Sequence, residues 1–247
     1  MTNILFSTNA DMIDATVTST TAATGFDNNN IQTGSRREHY KTDAAGTSAY
    51  VRYEPATAKA ANHYIVARAD LCVKAQTTSF TVEHGSPSYS TYNATGSLST
   101  GDLVGPNNQD YIYYNSTPSS AYDLWRLTVG LGSSDYVQLS KFYVGTALDI
   151  GREPDAISMK RIRAGQAFKK AKWEITLGYS GISYTNAMKV KSQIIDVADY
   201  HSIFIFTAST HGVLLGQKLI HCQVIDASLP QEVTNYNNIR LALRELL

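Results

Sequence analysis

The chain has 247 residues, 43% of them hydrophobic and 17% charged, with 21 basic against 21 acidic side chains and a formal net charge of zero. That length allows one large domain or two moderate ones with a sizeable core. Nucleic-acid binders carry a basic excess, so the neutral balance makes that class of partner unlikely, and the surface must be built from Ser, Thr, Asn, Ala and Tyr.

The opening stretch, residues 1–14, has no basic region followed by a long apolar run. No segment approaches the ~20 apolar residues of a membrane span. The expectation is therefore a chain made in a cytosol, with no membrane span. Residues 15–23 are rich in Thr and lead through Gly25-Phe26 into Asp27-Asn28-Asn29-Asn30, Ile31 and Gly34-Ser35. This is turn chemistry. Asp27, Asn28 and Asn30 also offer oxygens of the kind calcium takes, as weak metal candidates; the plain turn is preferred and no metal or cofactor is expected.

Strands are predicted at Ser48–Tyr53, His63–Ala69, Leu71–Ala75 and Ser79–His84, each short and several with period-two alternation. Residues 85–123 read as a long Ser/Thr/Asn/Gly/Tyr excursion holding one or two strands around Tyr111-Ile112-Tyr113-Tyr114. Trp125, Leu127, Val129 and Leu131 then share one face of a strand, with a turn expected at Gly132-Ser133-Ser134-Asp135. In the following strand Val137 and Leu139 keep one parity, and Phe142 and Val144 take the other. Such a slip predicts a bulge, or a strand that leaves one sheet for another.

Beyond Gly145 the composition changes. Strands are predicted at Ile157–Arg163 and Ala167–Gly178, with a turn at Tyr179-Ser180-Gly181. A helix is predicted over Asn186–Asp199, capped by Thr185 or Asn186, with Val190, Ile194 and Val197 on its apolar stripe. Strands follow at Ile203–Phe206 and Leu219–Ile225. Residues 238–247 read as a closing strand with Ile239, Leu241 and Leu243 inward, or as a short helix. Cys72 and Cys222 lie far apart in predicted strands and are expected as buried free thiols.

The first half resembles discoidin-like, galactose-binding-like jelly-roll modules found in many phage virion proteins. The residues that carry the resemblance are Thr21-Ala22-Ala23-Thr24-Gly25-Phe26, Asn30-Ile31, Gly34-Ser35-Arg36 and Tyr50-Val51-Arg52-Tyr53. Ser79-Phe80-Thr81-Val82, Trp125-Arg126-Leu127 and Val144-Gly145 complete the series. Such modules often carry Trp where this chain has Tyr40. The second half looks like the small α+β domains of phage tail-associated proteins. The expected architecture is mainly β: a jelly-roll β-sandwich over residues 1–147, then a smaller β-rich α+β domain with one central helix over 148–247.

No metal-ligand spacing, nucleophile elbow, phosphate-binding glycine loop or dinucleotide fingerprint is present, so no enzymatic activity is expected. Tyr111, Tyr113, Tyr114, Tyr89, Tyr92 and Tyr122 form the best candidate binding or interface surface, because a phenol ring offers a flat apolar face and a hydroxyl. Plain packing on the sandwich edge is the simpler reading. A basic run, Lys160, Arg161, Arg163, Lys169, Lys170 and Lys172, is a solvated strand face or a contact for an acidic partner. The sequons at Asn93 and Asn115 carry little meaning without a secretory signal.

The resemblance implies a non-enzymatic virion structural protein of a phage tail, tail tip or fibre apparatus, assembled in the host cytoplasm. It would act by symmetric assembly, with itself as a homo-oligomer and with neighbouring tail proteins as partners. The alternative is a carbohydrate-binding module engaging a host surface glycan.

Overall fold

The computed structural model describes residues 3–32, 39–68, 77–85, 93–98, 103–104, 110–162, 172–196, 203–207, 219–228 and 236–246. Their strands form one seven-stranded and two five-stranded sheets, paired antiparallel throughout, with a single helix. The chain divides into two units, residues 9–146 and residues 1–8 with 147–247. Among the described residues no helix is long and apolar enough to cross a membrane.

The chain begins with β1 (Ile4–Ser7), a run buried along its whole length. It lies between two other strands of the second unit, which separates it from the residues 9–146 it adjoins in sequence. The sequence places it with the first module. Its continuous Ile-Leu-Phe stretch instead suits a strand covered on both faces inside a sheet.

Residues 9–146 form a jelly-roll β-sandwich. Its strands are β2 (Thr16–Ser19), β3 (Tyr40–Lys41), β4 (Gly46–Glu54), β5 (His63–Arg68), β6 (Thr77–Gly85), β7 (Asn93–Leu98), β8 (Leu103–Val104), β9 (Asp110–Tyr114), β10 (Leu124–Asp135) and β11 (Gln138–Gly145). One sheet has the order β2-β4-β10-β6-β7 and the other β3-β11-β5-β9-β8. Period-two alternation sends Val51, Tyr53, Trp125, Leu127 and Val129 from the first sheet into a core shared with Tyr64, Val66, Leu139, Phe142 and Val144 from the second. On the opposite face of β10, Arg126 Nε and Thr128 Oγ1 both donate to Glu83 Oε2, at 2.7 and 3.0 Å.

The parity slip in β11 is a bulge. Leu139 pairs with Arg68 and Lys141 with Ala67, leaving Ser140 as the extra residue. The strand on either side therefore keeps its apolar residues inward. The turn expected at 132–135 is displaced. β10 runs on to Asp135 with its ladder to β4 shifted after Gly130, and Asp135 Oδ1 accepts the Tyr136 N–H at 2.7 Å where the chain reverses. β10 and β11 belong to different sheets, so no tight hairpin joins them.

At the end of β11, Gly145 has φ +154°, and a Cβ there would stand 2.7 Å from Asp11 Oδ2. The same carboxylate oxygen accepts the Thr146 N–H at 2.9 Å. Glycine suits this position because side chains rarely adopt that φ, and a Cβ would also press on the Asp11 carboxylate that holds Thr146.

The second unit adds β12 (Leu148–Asp149), β13 (Ala156–Ile162), β14 (Lys172–Ser183), α1 (Tyr184–Val190), β15 (Ile203–Thr207), β16 (Leu219–Ser228) and β17 (Tyr236–Glu245), in sheet order β12-β1-β15-β16-β17-β14-β13. The turn expected at Tyr179-Ser180-Gly181 is a bulge inside β14: pairing to β17 slips between Tyr179 and Ile182, with Gly181 at φ +67°. The helix starts two residues before Asn186, capped by Ser183 Oγ, which accepts the Asn186 N–H at 3.3 Å. It continues as wider π-type turns over Lys191–Ile195. Ala187, Val190 and Ile194 pack on a core of Ile175, Leu177, Ile203, Ile205, Leu241 and Leu243. Cys222 is a buried free thiol in that core, and burial pushes its pKa up; Cys72 lies outside the described residues. The closing segment is the strand β17, with Ile239, Leu241 and Leu243 inward.

Candidate ligand-binding cleft

β5 and β9 are neighbours in the second sandwich sheet, with Tyr64 opposite Tyr113 and His63 opposite Tyr114. Where β5 begins and β9 ends, a cleft of about 290 Å³ opens. One wall is Ala61, Asn62, His63 and Tyr64; the other is Tyr113, Asn115, Thr117, Pro118 and Ser119; Trp125 completes the lining.

Backbone bonds hold the two walls in place. The Asn115 N–H donates to Asn62 O at 2.7 Å and the Ser119 N–H to Ala61 O at 2.8 Å. Ser119 Oγ accepts the Ala61 N–H at 3.1 Å. Asn115 Oδ1 accepts the Thr117 N–H at 3.0 Å, which closes an Asx turn and leaves the amide Nδ2 as a donor. Tyr113, half-buried, stacks on the buried Tyr64 ring at 4.7 Å between centroids and 12° between planes. Trp125 is fixed by its Nε1–H, which donates to Lys59 O at 3.3 Å. Behind it, His84 stacks on Tyr122 at 3.7 Å and meets Trp125 edge-on.

Among the described residues the lining carries no Asp, Glu, Lys or Arg. Burial drives His63 down to a pKa of about 3, opposed by a hydrogen bond with the Gly145 backbone, so its imidazole is neutral in any ordinary buffer. Burial also lowers His84. The described lining is thus an uncharged surface of two ring systems bordered by amide and hydroxyl groups. It can stack on a flat apolar face and exchange hydrogen bonds with neutral polar groups.

Of the six tyrosines proposed from sequence, the structure describes the side chains of Tyr113, Tyr114 and Tyr122. Tyr113 and Tyr114 are adjacent in β9, so they point to opposite faces, and only Tyr113 lines the cleft. Tyr122 stands behind Trp125, with ring centroids 5.8 Å apart. Tyr111 has its backbone opposite Val66. Tyr89 and Tyr92 lie outside the described residues.

Asp27, Asn28 and Asn30 form a capped turn. Asp27 Oδ1 accepts the Asn29 N–H at 2.9 Å, Asn28 Nδ2 donates to Val17 O at 2.9 Å, and Asn30 Nδ2 donates to His39 O at 3.1 Å. Lys141 Nζ donates to Asn30 O at 2.9 Å. Among the described residues no group of three or more His, Cys, Asp or Glu side chains could hold a metal ion.

In the basic run, Lys160 and Arg161 are consecutive in β13 and face opposite sides of the sheet. Lys172 has its backbone opposite Ile162, and Arg163, Lys169 and Lys170 lie outside the described residues.

Sequence reasoning does not find Asn62, His63, Asn115, Thr117, Ser119 or the lining role of Trp125. The one available signal is polar turn residues placed at the ends of two aromatic or apolar strands, Asn62-His63 before β5 and Asn115 to Ser119 after β9.

No protein-family model and no curated protein sequence matches the chain. Among solved structures it is similar to a Ruminococcus gnavus GH29 fucosidase in complex with fucose, at 10% identity over 57% of this chain and 27% of that one, with a TM-score of 0.49. It is also similar to chitosan-binding module 1 of a chitosanase/glucanase from Paenibacillus sp. IK-5, at 12% identity over 54% and 96%, TM-score 0.43. A third is the family 32 CBM of C. perfringens NanJ in complex with galactose, at 9% identity over 57% and 98%, TM-score 0.44. The match spans about a quarter of the fucosidase's length. Likeness of this order leaves function to be argued from the cleft's own chemistry.

Proposed function

We propose that the sandwich of residues 9–146 is a non-catalytic binding module for neutral saccharides. The observation that supports this reading is the uncharged cleft in which the Tyr113 ring is backed by Tyr64 and flanked by Asn115, Thr117 and Ser119. A sugar ring has an apolar face of C–H groups and an equatorial belt of hydroxyls, which calls for a flat aromatic platform beside amide and hydroxyl partners. An ionised sugar would place its carboxylate among groups that carry no counter-charge, at a desolvation cost that the cleft does not offset. The walls are already held by backbone bonds, so little ordering entropy is lost on binding.

The test is titration calorimetry guided by a glycan array that contains neutral and acidic sugars. Tyr113→Ala is expected to weaken the best ligand by about ten-fold or more, and Asn115→Ala by several-fold, with unchanged circular dichroism. Binding that is indifferent to Tyr113 would sink the reading. Preference for acidic sugars would sink its neutral-ligand part. Symmetric assembly within a phage tail rests on the sequence resemblance alone. Mass photometry tests it separately, a defined ring or stack favouring it and a strict monomer opposing it.

A further inference from the structure

The seven-stranded sheet ends differently on its two sides. On one side β12 is two residues long, and so offers a partner little to pair with. On the other, β13 is seven residues long and pairs with β14 in unbroken register from Ala156–Gly178 to Ile162–Lys172. It contains neither Pro nor Gly, and among the described residues it has a strand on one side only. Among the described residues no strand pairs with the backbone N–H and C=O groups on its other side, which form a template to which a further strand can add.

Side-chain parity along β13 gives the partner's chemistry. Ile157 stands opposite Leu177 and Met159 opposite Ile175, both core residues, so Ile157 and Met159 lie on the core face of the sheet. Ile157 is nonetheless 46% exposed, at the rim of that face. Lys160 and Arg161 follow, both exposed, one on each face. Neither makes an ion pair among the described residues, since the carboxylate opposite Lys160, Glu174, is taken by Arg244 at 2.7 Å.

We propose that the open edge of β13 receives an extended segment of another protein. Apolar side chains of that segment lie beside Ile157 and Met159, and two consecutive acidic residues meet Arg161 and Lys160. Every ladder in this sheet is antiparallel, so the partner reads acidic, acidic, apolar, polar, apolar from its N-terminal end. A second copy of the chain fits poorly, because pairing two β13 edges would gather four cations in one ladder. The inference is independent of the saccharide reading, which concerns the other unit.

The test is fluorescence anisotropy with a labelled peptide, Thr-Glu-Glu-Val-Thr-Val-Thr, at low salt. Saturable binding is expected, with loss of binding when alternate backbone nitrogens are methylated and about ten-fold weakening in the Lys160→Glu, Arg161→Glu double variant. That variant changes exposed side chains only, and its fold is checked by circular dichroism. It is expected in turn to bind the Thr-Lys-Lys-Val-Thr-Val-Thr peptide, which the unaltered protein rejects. Equal binding of both peptides by the unaltered protein overturns the proposal, as does binding that survives N-methylation. No saturable binding at millimolar concentration overturns it too. A dimer in sedimentation velocity that the double variant abolishes would give the edge to a second copy, and would also overturn it.

Discussion

The core clusters of the two units differ in their share of aromatic rings. The core of the sheet unit is mostly aliphatic, with Ile175, Leu177, Ile203, Ile205, Ile220, Leu241 and Leu243 beside the rings of Phe6 and Tyr179. The sandwich core adds to its aliphatic residues the rings of Tyr40, Tyr53, Tyr64, Trp125 and Phe142, and several of its buried polar groups are tied to distant parts of the chain. Tyr53 Oη donates to Phe142 O at 2.6 Å while its ring stacks on the Phe142 ring at 5.4 Å. Tyr40 Oη donates to Thr20 O at 2.8 Å, and burial pushes that phenol up to about 12. The Lys141 side chain is wholly buried and reaches Asn30 O. An aliphatic core fixes volume, whereas a hydrogen-bonded aromatic core also fixes orientation. The candidate cleft lies in the unit with the more aromatic core cluster.

That contrast is broken most severely at Trp125. Trp125→Ala removes a fully buried ring and is expected to cost about 3–5 kcal/mol of sandwich stability and to collapse the cleft. Urea unfolding measures the first, and loss of saccharide binding the second. A cost below about 1 kcal/mol would mean that the aromatic interior is not the unit's main support.

Acid sharpens the comparison next. His63 takes up its proton in the unfolded chain near pH 6.5 but in the fold only near 3. Within that window the unfolded state holds the extra proton, so stability falls as pH is lowered from about 6.5 toward 3. The slope reaches at most about 1.4 kcal/mol per pH unit for this group. His84, also lowered, acts in the same sense. His63→Gln should flatten the dependence of urea melts followed by Trp125 fluorescence in a Trp173→Phe background. Parallel slopes for the two proteins would contradict the assignment.

The smallest effect is a matched pair of conservative changes. Tyr53→Phe strands the buried Phe142 carbonyl and is expected to cost about 1–3 kcal/mol. Ile205→Val removes one methylene group from the sheet unit and should cost about 0.5–1.5 kcal/mol. If differential unfolding reverses that order, the directional bonds contribute less than the contrast requires.

Several strands with one wet face were legible, although β2 was read as turn chemistry. Period two marks β4, β10 and β17, and the parity slip in β11 announces the bulge at Ser140. β1 escapes, its four successive buried residues showing no alternation, whereas the equally buried β15 was found as an apolar run. The helix start is misplaced because Ser183 caps it from the end of a strand that the Ser180-Gly181 bulge carries past an apparent turn. The cleft was hidden for a different reason. Asn62 and Asn115 meet only through the pairing of β5 with β9, and no local pattern encodes which strands become neighbours. Consecutive tyrosines likewise look like one cluster until the pleat divides them.

The clasp of Asp11 on Gly145 and Thr146 has a consequence for the chain as a whole. On either side of the clasp in sequence, Phe6 of β1 and Leu148 of β12 stand opposite each other, so the strands that flank the sandwich are paired in the sheet. The sandwich is therefore a looped-out insert whose two ends meet at one doorway, with the Asp11 carboxylate as its latch. An arrangement of this kind behaves as a cassette. A short turn between Ser7 and Ala147 would close the sheet unit without it, and a different module with adjacent ends could take its place while the seven-stranded sheet stayed the same.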